Sequence, residues 1–235
     1  MILTIILPCY NEEKNISHIR KKLFEVLDTL DCDYEVIIVD DGSEDNTLDE
    51  INHLMKCKGK IKLYQHVSNR GMGAAIRTAI PHSTGDVTIT MDSDLTFHPK
   101  LIPELLDRFK EGDVDCVIGS PALHNYDKTI PLYRIFLSRG LNTIYSICLG
   151  KNLTAVSPIF RLYKTEQLKE LNLQSNKFEI NAEIVAKLLM KKKRIVEIPA
   201  KLTVRQYGES KLDNFKEIRN HLKLLAKIIY WRIRA

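Results

Sequence analysis

Short apolar runs alternate with longer amphipathic segments along the first half of the chain. The apolar runs have the length and the β-branched content of buried strands, and they lie at 3–8, 34–40, 60–65, 86–92 and 115–120. The segments between them have the apolar spacing of helices, and they lie at 13–30, 44–57, 70–82 and 99–111. This alternation predicts an α/β protein in which a mainly parallel sheet is flanked by helices on both faces.

The regular alternation of apolar runs and amphipathic segments ends after residue 120. A loop at 121–131 precedes an apolar stretch that we predict to be one helix, and Arg134 and Arg139 within it argue against a membrane span. The chain continues with a predicted helix, strand and loop at 179–192, 194–204 and 205–211.

The C-terminal segment is both basic and amphipathic. Its apolar residues recur at steps of three and four, at Phe215, Ile218, Leu222, Leu225 and Ile229. A stripe of cations lies beside them, at Lys216, Arg219, Lys223 and Lys227. We expect one domain over 1–212, with 213–235 as an amphipathic helix appended to it. That helix either contacts an anionic membrane surface or a membrane-protein partner, or packs on the domain with its basic face in solvent.

Composition narrows the class of protein. The 235 residues are 44% hydrophobic and 28% charged, with a net charge of +5, as in a globular protein with a substantial core. The five cysteines are scattered without a CxxC pair, which favours a reducing, cytoplasmic compartment over a disulfide framework or a zinc site. The N-terminal apolar run is too short for a signal peptide or a membrane span. Nucleic-acid binding is disfavoured because no aromatic stacking platform accompanies the basic stripe.

Chemically rich stretches follow the predicted strands, where ligands bind in parallel sheets. In "PCYNEE" we expect Pro8 to end the first strand, so that Tyr10 stacks on a base and Glu12 accepts hydrogen bonds from a ribose. The alternative is that Asn11 and Glu12 cap the next helix. In "NRGMGAA", Gly71 and Gly73 let the backbone approach a ligand at a helix N-terminus, although the spacing is not that of a dinucleotide fingerprint.

Two aspartates follow the fourth predicted strand in "MDSDLTF". Asp92 and Asp94 leave the strand on the same side, close enough to share a divalent cation with a diphosphate. Mg²⁺ or Mn²⁺ typically takes one or two carboxylates, with phosphate oxygens and water completing its shell. Without a cation the two carboxylates repel each other, and one of them should have a raised pKa.

Taken in order, these motifs resemble the family-two inverting glycosyltransferases of GT-A fold, and most of all the dolichol-phosphate mannose synthase subgroup. The resemblance extends to "FRLY", "KFEINAEI", "VEIPAKLTVR" and "RQYGESKL". It implies a Rossmann-like GT-A sheet and a metal-dependent enzyme. Such an enzyme moves a hexose from GDP-mannose or a UDP-sugar to an acceptor, here a polyprenyl or dolichyl phosphate.

The resemblance also implies roles for particular residues. Donor binding would fall to Pro8, Tyr10, Glu12, Val39, Asp41, Gly71, Asp92, Ser93 and Asp94. The Mg²⁺ or Mn²⁺ ligands would be Asp92, Asp94 and Thr96, the last in place of a glutamine. The acceptor phosphate would meet Arg134, Ser138, Arg139, Arg205, Ser210 and Lys211. The catalytic residues would be Asp92, Asp94, Arg205 and Lys211.

Two departures from the subgroup pattern leave alternatives open. Pro121 replaces a usual arginine, and "TAVSPIFR" lacks the usual aspartate and serine-glycine pair. The acceptor could therefore be a non-lipid hydroxyl, or the chain could be a catalytically impaired sugar-nucleotide-binding subunit. A hydroxyl acceptor needs a general base, for which Glu179 and Glu183 are candidates, although a structural role for both is the simpler reading.

Overall fold

The computed structural model describes residues 1–124, 130–205, 207 and 214–234. The strands are β1 (Ile2–Cys9), β2 (Asp33–Asp40), β3 (Ile61–Gln65), β4 (Val87–Thr90), β5 (Cys116–Ser120), β6 (Arg161–Lys164) and β7 (Ile195–Pro199). The helices are α1 (Glu13–Leu27), α2 (Thr47–Cys57), α3 (Met72–Ala79), α4 (Ile102–Lys110), α5 (Pro121–His124), α6 (Leu132–Leu149), α7 (Thr165–Lys169), α8 (Ile180–Met190) and α9 (Asn214–Arg234). Single 3₁₀ turns lie at Ile80–His82 and Pro99–Leu101.

The strands form one sheet in the order β3-β2-β1-β4-β6-β5-β7. β6 runs antiparallel to β4 and β5, and the other neighbours are parallel, so the predicted mainly parallel sheet is confirmed. The sequence did not predict β6, because its four residues begin with Arg161 and look polar. Arg161 is fully buried, and its guanidinium donates to the carbonyls of Asn181 (2.6 Å) and Val156 (2.7 Å).

Helices cover both faces of the sheet, as the alternation predicted. In β1, Leu3, Ile5 and Leu7 point into a core shared with α1, α2 and α4. Ile6 points the other way, into a second core shared with α3, α8 and α9. The side chains of a strand alternate between faces, and both faces are apolar because both are covered.

Three predicted C-terminal strand ends are wrong. The fourth strand, predicted to end at Asp92, ends at Thr90. β1 continues through Pro8 to Cys9, because the missing N–H of Pro8 would point towards β4. The Ile6 carbonyl accepts from the Met91 N–H on that side, and β4 has ended at Thr90 before it reaches the level of Pro8.

The last strand, predicted over 194–204, ends instead at Pro199. From there the chain turns away from β5, and Leu202 forms an isolated antiparallel bridge with Phe97. This turn carries the following residues towards the segment after β4.

The C-terminal helix α9 packs on the body of the protein. Leu224, Leu225 and Ile228 are buried in the second core, while Lys223 faces solvent. In the described residues, no helix combines the length and the hydropathy needed to cross a membrane.

Candidate active site

Acidic residues gather at the carboxyl ends of three adjacent strands. β1 lies between β2 and β4 in the sheet, so the segments that follow these strands meet at one edge. Glu12 follows β1, Asp41 follows β2, and Asp92 and Asp94 follow β4. The topology therefore brings together the side chains that the sequence had placed after separate strands.

Asp92 and Asp94 follow β4 at this edge, and both are half-buried. Burial raises the pKa of Asp92 well above its usual value, and the negative charges of Asp94 and Glu12 raise it further, whereas Arg205 lowers it. The expectation that one carboxylate of the pair has a raised pKa is confirmed. A bound cation would relieve the repulsion that contributes to this shift.

The two carboxylates suit a metal cation that a bound ligand also coordinates. Within the described part of the chain, no three His, Cys, Asp or Glu side chains are grouped as a metal site. Two carboxylates are nevertheless what Mg²⁺ or Mn²⁺ commonly takes from a protein when phosphate oxygens and water supply the rest. Asp92 and Asp94 are therefore suitable ligands for such an ion.

Thr96 helps to shape this segment through its backbone. Its N–H donates to Asp94 Oδ1 (3.0 Å), and its carbonyl accepts from the N–H (2.9 Å) and the hydroxyl (2.8 Å) of Thr203. The segment after β4 is thereby tied to the chain just before Arg205. A metal contact by the Thr96 side chain stays a prediction.

Arg205 lies across the acidic residues. It forms an ion pair with Glu12, and its Nε is 3.7 Å from Asp94 Oδ2. The same Nε donates to the carbonyl of Tyr207 (2.7 Å), whose ring stacks on His18 at a centroid distance of 4.8 Å. The structure thus places Arg205 on carboxylates, and its contact with phosphate stays a prediction. Ser210 and Lys211 lie outside the described residues.

Glu12 follows β1, and besides its ion pair with Arg205 it has two further partners. Its Oε2 accepts from Asn15 Nδ2 (2.5 Å), and its backbone N–H donates to Thr47 Oγ1 (2.7 Å). Glu12 stands at the N-cap position of α1, but its side chain makes no capping bond to the helix. The capping alternative does not describe this side chain, which is held at the sheet edge instead.

Asp41 organises the neighbouring loop. Its carboxylate accepts from the N–H groups of Arg70 (2.9 Å) and Gly71 (2.6 Å), and it lies 2.6 Å from His66 Nδ1. The other ring nitrogen of His66 lies 2.9 Å from Thr78 Oγ1. His66 was missed in the sequence, although its position directly after β3 was a usable signal. The nucleoside contact of Asp41 stays a prediction.

The remaining residues that were predicted to bind the sugar-nucleotide donor lie around this edge. Pro8 pairs with Val39 in the β1–β2 register, Ser93 is buried between the two aspartates, and Tyr10 is half-buried. At Gly71 a Cβ would come within 2.4 Å of the Asn176 carbonyl oxygen. The close approach at this glycine is therefore made by the chain's own 175–177 segment, and ligand binding there stays a prediction.

The acceptor-side predictions lie farther along the chain. Arg134 and Arg139 are exposed on α6, and Ser138 is half-buried there. Glu183 is buried and accepts from the N–H groups of Gln174 and Ser175, besides pairing with Lys187. Glu183 therefore has the structural role that was the alternative to a general base.

Seven strands in this order, with acidic residues after β1, β2 and β4, define the class of protein as a glycosyltransferase of GT-A fold. The chain belongs to glycosyl transferase family 2, whose family model matches residues 4–171. The expected family is confirmed.

Two curated relatives and one solved structure illustrate the similarity. The chain is 30% identical to a dolichol-phosphate mannosyltransferase of Pyrococcus furiosus over 98% of its own length and 64% of the relative's. It is 28% identical to an undecaprenyl-phosphate 4-deoxy-4-formamido-L-arabinose transferase of Edwardsiella ictaluri, over 99% of its own length and 70% of the relative's. The chain thus spans about two thirds of the length of these relatives.

The solved structure is a glucosyl-3-phosphoglycerate synthase of Mycobacterium tuberculosis in complex with Mn²⁺, UDP-glucose and phosphoglyceric acid. It has a TM-score of 0.72 at 19% identity, over 98% of this chain and 79% of that one. This likeness concerns the fold, and the predicted GT-A fold is confirmed.

Proposed function

We propose that the protein transfers a hexose, with inversion, from a nucleotide-diphospho-sugar such as GDP-mannose or a UDP-sugar to a polyprenyl or dolichyl phosphate. The observation that carries this proposal is the cluster of Asp92, Asp94 and Glu12 at one sheet edge, with Arg205 across it. The names of the two curated relatives, which are lipid-phosphate glycosyltransferases, support the class of acceptor.

The donor would bind over the carboxyl ends of β1, β2 and β4. Asp92 and Asp94 would hold Mg²⁺ or Mn²⁺, which when bound offsets the charge of the leaving diphosphate. Arg205 would exchange its carboxylate partners for phosphate oxygens, and it stabilises the negative charge that grows on the leaving group. Tyr10 and Glu12 would hold the nucleoside.

The acceptor would be an oxyanion that needs no deprotonation. A hydroxyl acceptor requires a general base, whereas a polyprenyl phosphate is already ionised. The carboxylate of Glu183 is occupied by two backbone N–H groups and by Lys187 (2.6 Å), which leaves it poorly suited to act as a base. This occupancy disfavours one of the two candidate bases, Glu179 and Glu183, and to that extent supports the ionised acceptor.

Two packed helices expose apolar side chains that suit a lipid acceptor. On α6 these are Leu132, Tyr133, Phe136, Leu137, Ile144 and Ile147. On α9 they are Phe215, Ile218, Leu222, Ile229 and Ile233. We call these residues the apolar face. Because the basic stripe of α9 borders it, we propose that the apolar face rests on an anionic membrane surface, on the cytoplasmic side.

The transfer is tested with a panel of GDP- and UDP-sugars, with Mg²⁺ or Mn²⁺, and with or without polyprenyl phosphate. We expect glycolipid to form with one donor and to be lost in Asp94→Ala. The matched control is Asp107→Ala, which removes an exposed carboxylate from α4. Donor binding without turnover on any acceptor would contradict the proposal and favour the impaired subunit. Turnover on a non-lipid alcohol alone would contradict the proposed acceptor.

Membrane contact is tested separately by flotation with anionic vesicles. The double variant Phe136→Ser/Ile147→Ser removes side chains that are 78% and 76% exposed, so it should weaken vesicle binding at little cost to the fold. Val67→Ser is the control, because Val67 is fully exposed but lies outside the apolar face. Equal binding of all three proteins would count against the membrane contact.

A further inference from the structure

A cavity lies beside the loop that Asp41 organises, between the C-terminal helix and the body of the protein. Its volume is about 340 Å³, and three segments line it: Arg70 just before α3, the chain at 174–179, and residues 220–227 of α9. None of the carboxylates assigned to donor binding lines it. Its size is at the lower end of the usual range for small-molecule sites, about 300–1,000 Å³.

Cations dominate the lining. They come from separate parts of the chain and are Arg70, Lys177, Lys223 and Lys227. Across the described ranges, none of the four takes part in an ion pair. Lys177 and Lys227 reach only neutral amide oxygens, each at 3.4 Å. With four cations and the single acid Glu179 in its lining, this small cavity has an excess of positive charge, which attracts an anion.

One buried acid lies among these cations. Glu179 is 9% exposed, and its Oε2 is buried without a hydrogen-bond partner in the described part of the chain. A buried carboxylate oxygen requires a donor, and an anion alone does not supply one. A ligand that satisfies the whole lining therefore carries negative charge for the cations and a hydroxyl group for Glu179.

We propose that this cavity binds a small phosphate monoester that carries a hydroxyl group near the phosphate. The phosphate oxygens accept from Lys223 and Lys227 of α9 and from Arg70 of the body, and the hydroxyl donates to Glu179. The ligand thereby links α9 to the rest of the protein. The phosphate monoester can come from a free metabolite or from a lipid headgroup, since both present the same chemistry.

The test is isothermal titration calorimetry of the full chain with sn-glycerol 3-phosphate at physiological ionic strength, without sugar nucleotide or polyprenyl phosphate. We expect saturable binding that Lys223→Gln/Lys227→Gln weakens at least about tenfold. The control Lys216→Gln/Arg219→Gln removes the same charge from the same helix outside the cavity, and it should leave the affinity within about twofold. Equal weakening in both double variants, or no binding in the wild type, would overturn the proposal.

Glu179→Gln separates this site from a merely solvated basic groove. The substitution keeps an acceptor oxygen for the hydroxyl and removes a negative charge near the phosphate, so binding of inorganic phosphate should tighten about fivefold. Unchanged affinity in a folded Glu179→Gln protein would count against the site. Vesicles that contain lysophosphatidic acid present a lipid phosphate monoester with a free hydroxyl on the neighbouring carbon. Competition of these vesicles with glycerol phosphate would identify a lipid source, and a lack of competition would identify a free metabolite. Because the assay contains no transfer substrates, its failure leaves the proposed glycosyl transfer untouched.

Discussion

The acidic sheet edge and the apolar face depart from an ordinary protein surface in opposite ways. At the edge after β1, β2 and β4, charged side chains are buried, among them Glu12, Asp40 and Asp41. On α6 and α9, large apolar side chains are exposed instead, with Leu132 82% accessible. A buried charge and an exposed apolar group are each unfavourable without a partner. The comparison indicates that one region is complementary to a charged ligand and the other to an apolar surface.

The two regions also differ in how far the chain satisfies itself. Asp41 has three partners from the 66–71 segment, and Glu12 is bonded to Asn15 and Arg205. The first half of α6, by contrast, contributes only exposed or half-exposed side chains up to residue 141. The acidic edge is therefore preorganised by the protein, whereas the apolar face depends on something outside it.

The largest expected effect comes from Asp92→Asn, which breaks the charged region. Turnover should fall at least about 100-fold, because the cation loses a ligand. The free protein should become more stable, by about 1 kcal/mol, because a half-buried charge that repels Asp94 and Glu12 is removed. Steady-state kinetics and urea unfolding measure the two effects. A variant that loses both activity and stability would instead indicate a structural role, and the exposed Asp107→Asn should change neither.

Next in size is a pair of glycine substitutions that compares packing on α3, beside the loop that Asp41 organises, with packing on α6. A Cβ on Gly73 would come within 2.7 Å of the Ser175 carbonyl oxygen, so Gly73→Ala should destabilise the protein by about 1–3 kcal/mol. A Cβ on Gly140 of α6 would meet nothing within 4 Å, so Gly140→Ala should stabilise it by up to about 1 kcal/mol through helix propensity. Urea unfolding measures the free energy of unfolding of both variants. A change of the same sign in both would contradict the expected difference in packing.

The acidic residues that follow the strands were more predictable than the contacts that these residues make. The sequence predicted that Asp92 and Asp94 follow a buried strand, because a continuous apolar run ends there. It could not predict that Arg205 reaches Glu12 across 193 residues, or that His66 meets Asp41 across 25, because such contacts depend on how the strands are ordered. β6 was missed for a similar reason, since the partners of Arg161 appear only in three dimensions.

A smaller effect is expected from Arg205→Gln, which tests whether this cation substitutes for the metal at the acidic edge. Without Arg205, Glu12 and Asp94 lose a competing positive charge, so Mn²⁺ should bind a few-fold more tightly in the absence of donor. Turnover should nevertheless fall about tenfold, because the leaving diphosphate loses a cation. Calorimetric Mn²⁺ titration and kinetics give the two readouts. Arg194→Gln, at an exposed ion pair with Asp113, should alter neither, and weaker Mn²⁺ binding in Arg205→Gln would contradict the competition.

The last effect appears only as the pH falls, and it concerns the contact that holds α9 against α6. Tyr145 Oη lies 2.9 Å from His221 Nδ1, and burial lowers the pKa of His221 to about 4 from 6.5. Because the unfolded chain binds the proton more readily, this histidine contributes stability above about pH 6.5 that is lost as the pH falls towards 4. The slope cannot exceed about 1.4 kcal/mol per pH unit for one proton. Urea unfolding between pH 7 and 4.5 should therefore show a steeper loss of stability for the wild type than for His221→Gln.

Carboxylates such as Asp115, whose pKa is lowered to about 2, act equally in both proteins, so their contributions cancel in this comparison. His53→Gln, at an exposed position on α2, should follow the wild type, and parallel curves for wild type and His221→Gln would show that α9 docks without this pH-sensitive contact.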